Sequence, residues 1–231
     1  ERREMLIKRL EQAAKAAGGR LDLDADLLDE TVHMTEHPVA VTGKFEPDFL
    51  SLPQPLLAMV LKKQLKFFPL LGNDGLLPGF VGVRDGISEG QAQVRQGYER
   101  VLSARLSDAA FFLSRDKKTR LEQKLSLLAR VTYQKSLGTM EQKAARVSVL
   151  AAWRCENIRQ ELPLQELSVS EIARLAYADL VCEVVKEFPE LQGSMGGFYA
   201  RLDGHGERVA LGLEQFYFPV ASRSALPATN E

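Results

Sequence analysis

His33, Glu36 and His37 fall at the spacing His-x-x-Glu-His, the pattern of inverted zinc hydrolases. That chemistry needs both imidazoles on one face of an unbroken helix. Pro38 follows at once and disfavours helical geometry at His37. Val39-Ala40-Val41-Thr42 then reads as a strand, so no metal is expected on this motif. Asp22, Asp24 and Asp26 alternate like the opening of a calcium loop. Such a loop needs Gly at its sixth position and Glu at its twelfth, and Leu27 and His33 stand there. The acidic run is expected instead to cap a helix N-terminus and favour its dipole. Gly193-Ser194-Met195-Gly196 lacks the spacing of a nucleophile elbow. The sequence contains no Walker loop and no Cys-x-x-Cys pair. Cys155 and Cys182 lie in helical patterns with no basic neighbours to favour a thiolate. Asp179 stands among Ile172, Leu175, Ala176 and Val184, where a carboxylate is costly unless paired or solvated. It is read as a structural acid, although perturbed carboxyls also gather at sites. No catalytic residue and no metal set is expected from these residues.

Binding chemistry is better represented. Lys62, Lys63 and Lys66 stand beside Phe67-Phe68, and cations next to aromatic rings can hold phosphates and stack bases. Solvated lysines flanking a half-buried strand would look the same. Residues 99–135 are basic, through Arg100, Arg105, Lys117, Lys118, Arg120 and Lys124 among others, whereas residues 157–192 are acidic. A local basic region suits a phosphate backbone; two solvated faces that balance each other fit the counts equally.

The elements that must carry these residues follow from periodicity. Apolar residues at helical spacing predict an amphipathic helix over 3–17, closed by Gly18-Gly19. Strands are expected at 38–44, 65–70 and 79–84, with a short proline-started helix over 55–63. Gly72-Asn73-Asp74-Gly75 predicts a turn between the last two strands. Helices are expected at 88–114 (with a break), 116–130, 139–159 and 171–187, and no strand after Arg115-Asp116. The fold class is therefore α+β and predominantly helical, with a domain boundary between 115 and 116. In the stretch Glu187–Pro219, Phe188-Pro189 stops one helix and a glycine-rich segment follows. Phe198, Tyr199, Phe216 and Phe218 are expected to fill the space between the flanking helices.

Composition bounds the remainder. The 231 residues carry a net charge of −1, so any nucleic-acid or membrane surface must be local. A hydrophobic content of 45% suffices for a packed core. Two cysteines in this length do not make a disulfide framework and point to a reducing, cytoplasmic setting. No apolar run is long enough for a membrane span. The chain opens in a charged helical pattern without Met and stops in a loop, so both ends are expected to be cuts in a longer protein.

One ordered set of motifs resembles a known family. Glu187-Phe188-Pro189-Glu190-Leu191-Gln192-Gly193, Met195-Gly196, Tyr199-Ala200, Gly206-Glu207, Val209-Ala210 and Glu214 to Pro219 resemble the beta subunit of bacterial glycyl-tRNA synthetase. The likeness continues upstream in His37-Pro38-Val39 to Leu52-Pro53, Lys62 to Pro69, Asn73 to Phe80, Glu99 to Leu102, Ala104 to Leu106, Asp108-Ala109 to Phe111-Phe112 and Leu137-Gly138-Thr139. Gln64-Leu65 and Gly97-Tyr98 depart from the family's usual residues.

The resemblance implies a partner alpha subunit in an assembly of two alpha and two beta chains. The alpha chain would activate glycine with ATP and Mg, and the beta chain would bind tRNA(Gly), with no cofactor in this piece. It implies residues 1–115 to be part of a mixed α/β domain like the editing-type domain of the phenylalanyl-tRNA synthetase beta chain. Residues 116–231 would be a truncated HD-like helical domain. Metal phosphohydrolysis on that fold needs His and His-Asp ligands. No His-Asp dipeptide exists here, and Asp179 would be the remnant of one ligand position. The candidate tRNA contacts are Lys62, Lys63, Lys66, Arg100, Arg105, Lys117, Lys118, Arg120 and Lys124. Docking of another subunit and hydrolytic editing are the competing roles.

Overall fold

Leu6, Leu10 and Ala14 recur at helical spacing and form the buried stripe of α1 (Arg2–Ala16). In the computed structural model, which describes residues 1–158, 166–222 and 225–228, the chain divides into two compact units, Glu1–Phe111 and Phe112–Glu231. After β1 (Arg20–Leu21), α2 (Ala25–Met34) begins where the carboxylate of Asp24 accepts from the backbone N–H groups of Asp26 and Leu27 at 3.1 and 3.2 Å. Asp24 thus caps the helix and Asp26 lies in its first turn, as expected, whereas Asp22 pairs with Lys62. α2 ends at Met34, so His33 is helical while His37 lies outside it, beside β2 (Pro38–Lys44).

α3 (Gln54–Ala58) widens into a π-helical turn over Met59–Gln64. β3 (Phe68–Leu71) and β4 (Leu76–Asp85) follow, joined by the expected turn, in which the N–H of Gly72 donates to the carbonyl of Gly75 at 2.7 Å. The third strand starts later than predicted, because Lys66 takes a left-handed φ of 57° and turns the chain into it. The four strands pair antiparallel in the order β1-β3-β4-β2. Val81, Phe68 and Leu70 pack with α1 and α2 through Leu6, Leu10, Leu27 and Leu28. Phe80, one residue from Val81 and therefore on the opposite side of the strand, stacks on Phe67 with centroids 4.3 Å apart, and Tyr98 packs on Phe67 at 5.0 Å. Tyr98 belongs to α4 (Gln91–Asp116), which runs without the expected break.

The second unit is helical, with three corrections. Residues 116–130 are not one helix but a turn of α-helix, α5 (Leu121–Lys124), followed by 3-10 turns over Leu125–Arg130. A small hairpin, β5 (Thr132–Gln134) with β6 (Gly138–Thr139), appears where no strand was expected. Its residues are exposed or half-buried and carry no apolar alternation. The predicted helix 171–187 is broken. α7 (Glu166–Leu175) ends, a 3-10 turn over Ala178–Val181 follows, and α8 (Glu183–Glu187) starts afresh after an extended Cys182. α6 (Met140–Ile158) agrees with its prediction, whose last residue, 159, lies outside the described residues.

α9 (Ser194–Asp203) and α10 (Glu207–Gln215) close the stretch that ends at Pro219. They pack tightly at Gly197, where a β-carbon would sit 2.6 Å from the carbonyl oxygen of Ala210 and collide with Glu214. Tyr199 is buried, whereas Phe218 is exposed and does not fill the gap. Tyr177 takes that place, meeting Phe216 and Tyr217 edge-on. Gly197→Ala tests the packing by its sign. Helix propensity alone would favour alanine by about 1 kcal/mol. The clash is expected to outweigh that and destabilise the unit by about 1–3 kcal/mol. An unchanged or raised urea midpoint would mean that the two helices can part without cost.

Candidate functional site

Asp116 ends α4 and is almost fully buried. Its Oδ1 accepts from the backbone N–H of Glu183 at 2.8 Å and from Lys124 Nζ at 3.1 Å. Its Oδ2 accepts from the N–H of Val184 at 3.0 Å and from the Tyr199 hydroxyl at 2.8 Å. One carboxylate therefore supplies the anion at the start of α8, where unpaired N–H groups and the helix dipole favour it. It also balances a buried ammonium. This explains why the helix restarts at Glu183. Burial and the nearby Asp116 charge push the Cys182 thiol well above its ordinary range, so it stays protonated.

Asp179 does the same for the glycine-rich loop. Its Oδ2 accepts from the N–H of Gly193 at 2.6 Å and of Gly196 at 3.1 Å. Gly193 has a φ of 81° that opens this nest of N–H groups. A carboxylate of the chain itself occupies the place where a phosphate would sit on a ligand-binding loop. The segment is therefore a closed internal joint. Burial pushes the Asp179 carboxyl up to about 6, against the lowering effect of the two glycine N–H groups. Its Oδ1 is buried without a hydrogen-bond partner among the described residues.

The basic candidates separate by environment. Lys124 is buried and paired with Asp116, so it is unavailable to a phosphate. Lys62 bridges Asp22 at 2.6 Å and Asp24 at 3.5 Å, and Lys66 pairs with Glu30 at 2.8 Å. Arg120 is exposed but donates to the carbonyl of Asp203 at 2.5 Å. Lys63, Arg100, Arg105, Lys117 and Lys118 remain exposed. Lys117 Nζ lies 5.7 Å from the centroid of the Phe198 ring. In the first unit these cations are Lys63 at the end of the π-turn and Arg100 and Arg105 on α4; in the second they are Lys117 and Lys118, at the turn after α4.

Sequence reasoning missed Asp116 as an organising residue. Its partners Glu183, Val184 and Tyr199 stand 67 to 83 residues away in sequence, and no local pattern announces them. The same holds for Glu122, Glu171 and His205, whose ligand-type atoms come within 4.8 Å of one another. No helix among the described residues is long and apolar enough to cross a membrane.

Comparison with known proteins agrees with the motif order. The profile of the family described as "Glycyl-tRNA synthetase beta subunit" matches residues 1–231. The chain is 41% identical over 231 residues to the glycine–tRNA ligase beta subunit of Syntrophotalea carbinolica, covering 100% of this chain and 33% of that protein. It is 40% identical over 232 residues to that of Geotalea uraniireducens, again with 100% and 33% covered. To that of Desulfitobacterium hafniense it is 39% identical over 228 residues, covering 98% of this chain and 33% of the relative. The chain thus spans about one third of the length of the curated relatives it matches. With its whole length inside the family profile, the chain belongs to the glycyl-tRNA synthetase beta subunit family.

Proposed function

We propose that this chain is a tRNA-binding portion of a glycyl-tRNA synthetase beta subunit. In this reading it supports ATP- and Mg-dependent attachment of glycine to tRNA(Gly) by a separate alpha subunit and performs no bond chemistry itself. The two units would correspond to an editing-type domain and an HD-like helical domain, within an assembly of two alpha and two beta chains in the cytoplasm. The observation that carries the binding role is the exposure of Lys117 and Lys118, with Lys117 beside the Phe198 ring. Arg100 and Arg105, exposed on α4, support it. Free cations release counterions from a phosphate backbone, whereas paired ones gain little.

The test is charge reversal of the pair, Lys117→Glu with Lys118→Glu. Affinity for tRNA(Gly) is expected to fall by about tenfold or more. The slope of log affinity against log salt should fall by about one for each phosphate no longer neutralised. Filter binding across a salt series reads both. A second reading, docking of another subunit, rests on the exposed apolar residues Val149, Leu150 and Trp153 of α6. Unchanged tRNA affinity and salt slope in the double variant would remove the Lys117–Lys118 patch from the binding role and leave docking ahead.

A further inference from the structure

We propose that Glu122, Glu171 and His205 form a binding site for a first-row divalent cation of the zinc class. The three residues come from α5, α7 and the turn between α9 and α10. Their positions are held by backbone contacts. Gly204 is left-handed with φ 88°, and the N–H of His205 donates to the carbonyl of Ala200 at 2.9 Å. The N–H of Leu121 donates to Asp203 Oδ2 at 2.6 Å, which fastens the start of α5 to the same turn.

The imidazole is the telling group. Its side chain is only 8% exposed, and its Nδ1 lies 2.6 Å from Glu171 Oε1. Nδ1 is therefore the ring nitrogen that faces the carboxylates, and an ion bound there takes the place of its proton. Nε2, on the far side of the ring, is buried with no hydrogen-bond partner among the described residues. The ring stands in a cluster in which one ligand-type atom from each of the three residues lies within 4.8 Å of the others. A zinc-class ion held at about 2.1 Å from each donor needs them about 3.4 Å apart, which side-chain torsions of the two glutamates can supply. One imidazole with two carboxylates suits zinc, cobalt or manganese, whereas calcium and magnesium prefer oxygen alone.

Arg174 stands in for the cation on one side. Its Nη2 lies 2.6 Å from Glu122 Oε1, with the two side chains 47% and 39% exposed. The Arg174 contact holds the Glu122 carboxyl below its usual range. An exposed pair of this kind is weak and yields to a dication that also engages Glu171 and His205. The bound ion would clip α5, α7 and the α9–α10 turn together.

Cobalt titration of the purified, metal-stripped protein tests this. Expected are uptake of one equivalent with visible d–d absorption, displacement by zinc, and a rise in unfolding temperature with either metal. His205→Gln and Glu171→Gln are each expected to weaken cobalt binding at least tenfold. Glu122→Gln, at a half-buried position, should act in the same direction. Arg174→Met should tighten binding several-fold, an effect that adventitious metal elsewhere on the surface would not show. No saturable uptake by the unaltered protein, or equal uptake by the folded Glu122→Gln and Glu171→Gln variants, overturns the site.

Discussion

Asp116→Ala is expected to destabilise the second unit by about 3–5 kcal/mol, as measured by the urea midpoint at pH 7. The size comes from what the substitution strands. Lys124 keeps its charge in a buried position, with its carboxylate partner at Asp116 gone. The N–H groups of Glu183 and Val184 lose the acceptor that starts α8, and the buried Tyr199 hydroxyl loses its own. A buried charge without its partner is the largest of these costs, and each orphaned neutral donor adds about 1–3 kcal/mol before relaxation. Because the groups share one acceptor, the losses do not add.

A second variant separates the parts. Lys124→Met removes the ammonium while leaving Asp116 three donors, so it should cost less than Asp116→Ala. The double variant Asp116→Ala with Lys124→Met should be more stable than Asp116→Ala alone, because no charge is left stranded. If Asp116→Ala shifts stability by less than about 1 kcal/mol, the carboxylate does not hold these elements together, and another cause must be found for the restart at Glu183.

How much of this was legible in the residues divides along one line. Local chemistry was readable. Asp24 caps α2, Gly72–Gly75 turns the hairpin, and Pro38 parts His37 from the helix that carries His33. These depend on neighbours a few positions away, where spacing is information. Long-range pairing was not readable. Lys124 looks in sequence like Lys117 and Lys118, yet it is buried and they are exposed. The difference is made by Asp116, eight positions away across a turn. Helicity over 171–187 failed for the same reason. Its apolar pattern is sound, but Asp116 caps a fresh start at Glu183, and Asp179 within the stretch turns its carboxylate to Gly193 and Gly196. Phe218 was assigned to the core by its type alone. The core instead takes Tyr177, whose position in a turn gave no such signal. The glycine-rich loop is the instructive middle case. Its flexibility was legible, but its occupant, the carboxylate of Asp179, was not.

That occupant gives the second large effect. The Asp179 carboxyl titrates near 6 in the fold, chiefly through burial, against an ordinary value of 3.8. The folded state therefore holds this proton more tightly than the unfolded chain. Its stabilising contribution is fully present below about pH 4 and is lost as pH rises through about 6. The difference of roughly two pK units corresponds to about 3 kcal/mol. Asp24, Glu122 and Glu207 are shifted the other way, so their contributions fade as pH falls. The whole protein's pH profile mixes both signs, and the Asp179 part must be read by difference.

Asp179→Asn provides that difference. The amide oxygen can still accept from Gly193 and Gly196, while the group no longer ionises. The buried amide nitrogen imposes a cost that does not depend on pH, because the Oδ1 side of Asp179 has no partner waiting. The stability of the variant minus that of the native protein should therefore rise between pH 4.5 and pH 7.5 by about 2 kcal/mol, whatever its offset. Urea midpoints across that range measure it. A flat difference would mean that Asp179 remains ionised throughout, held by the glycine N–H groups strongly enough to cancel its burial.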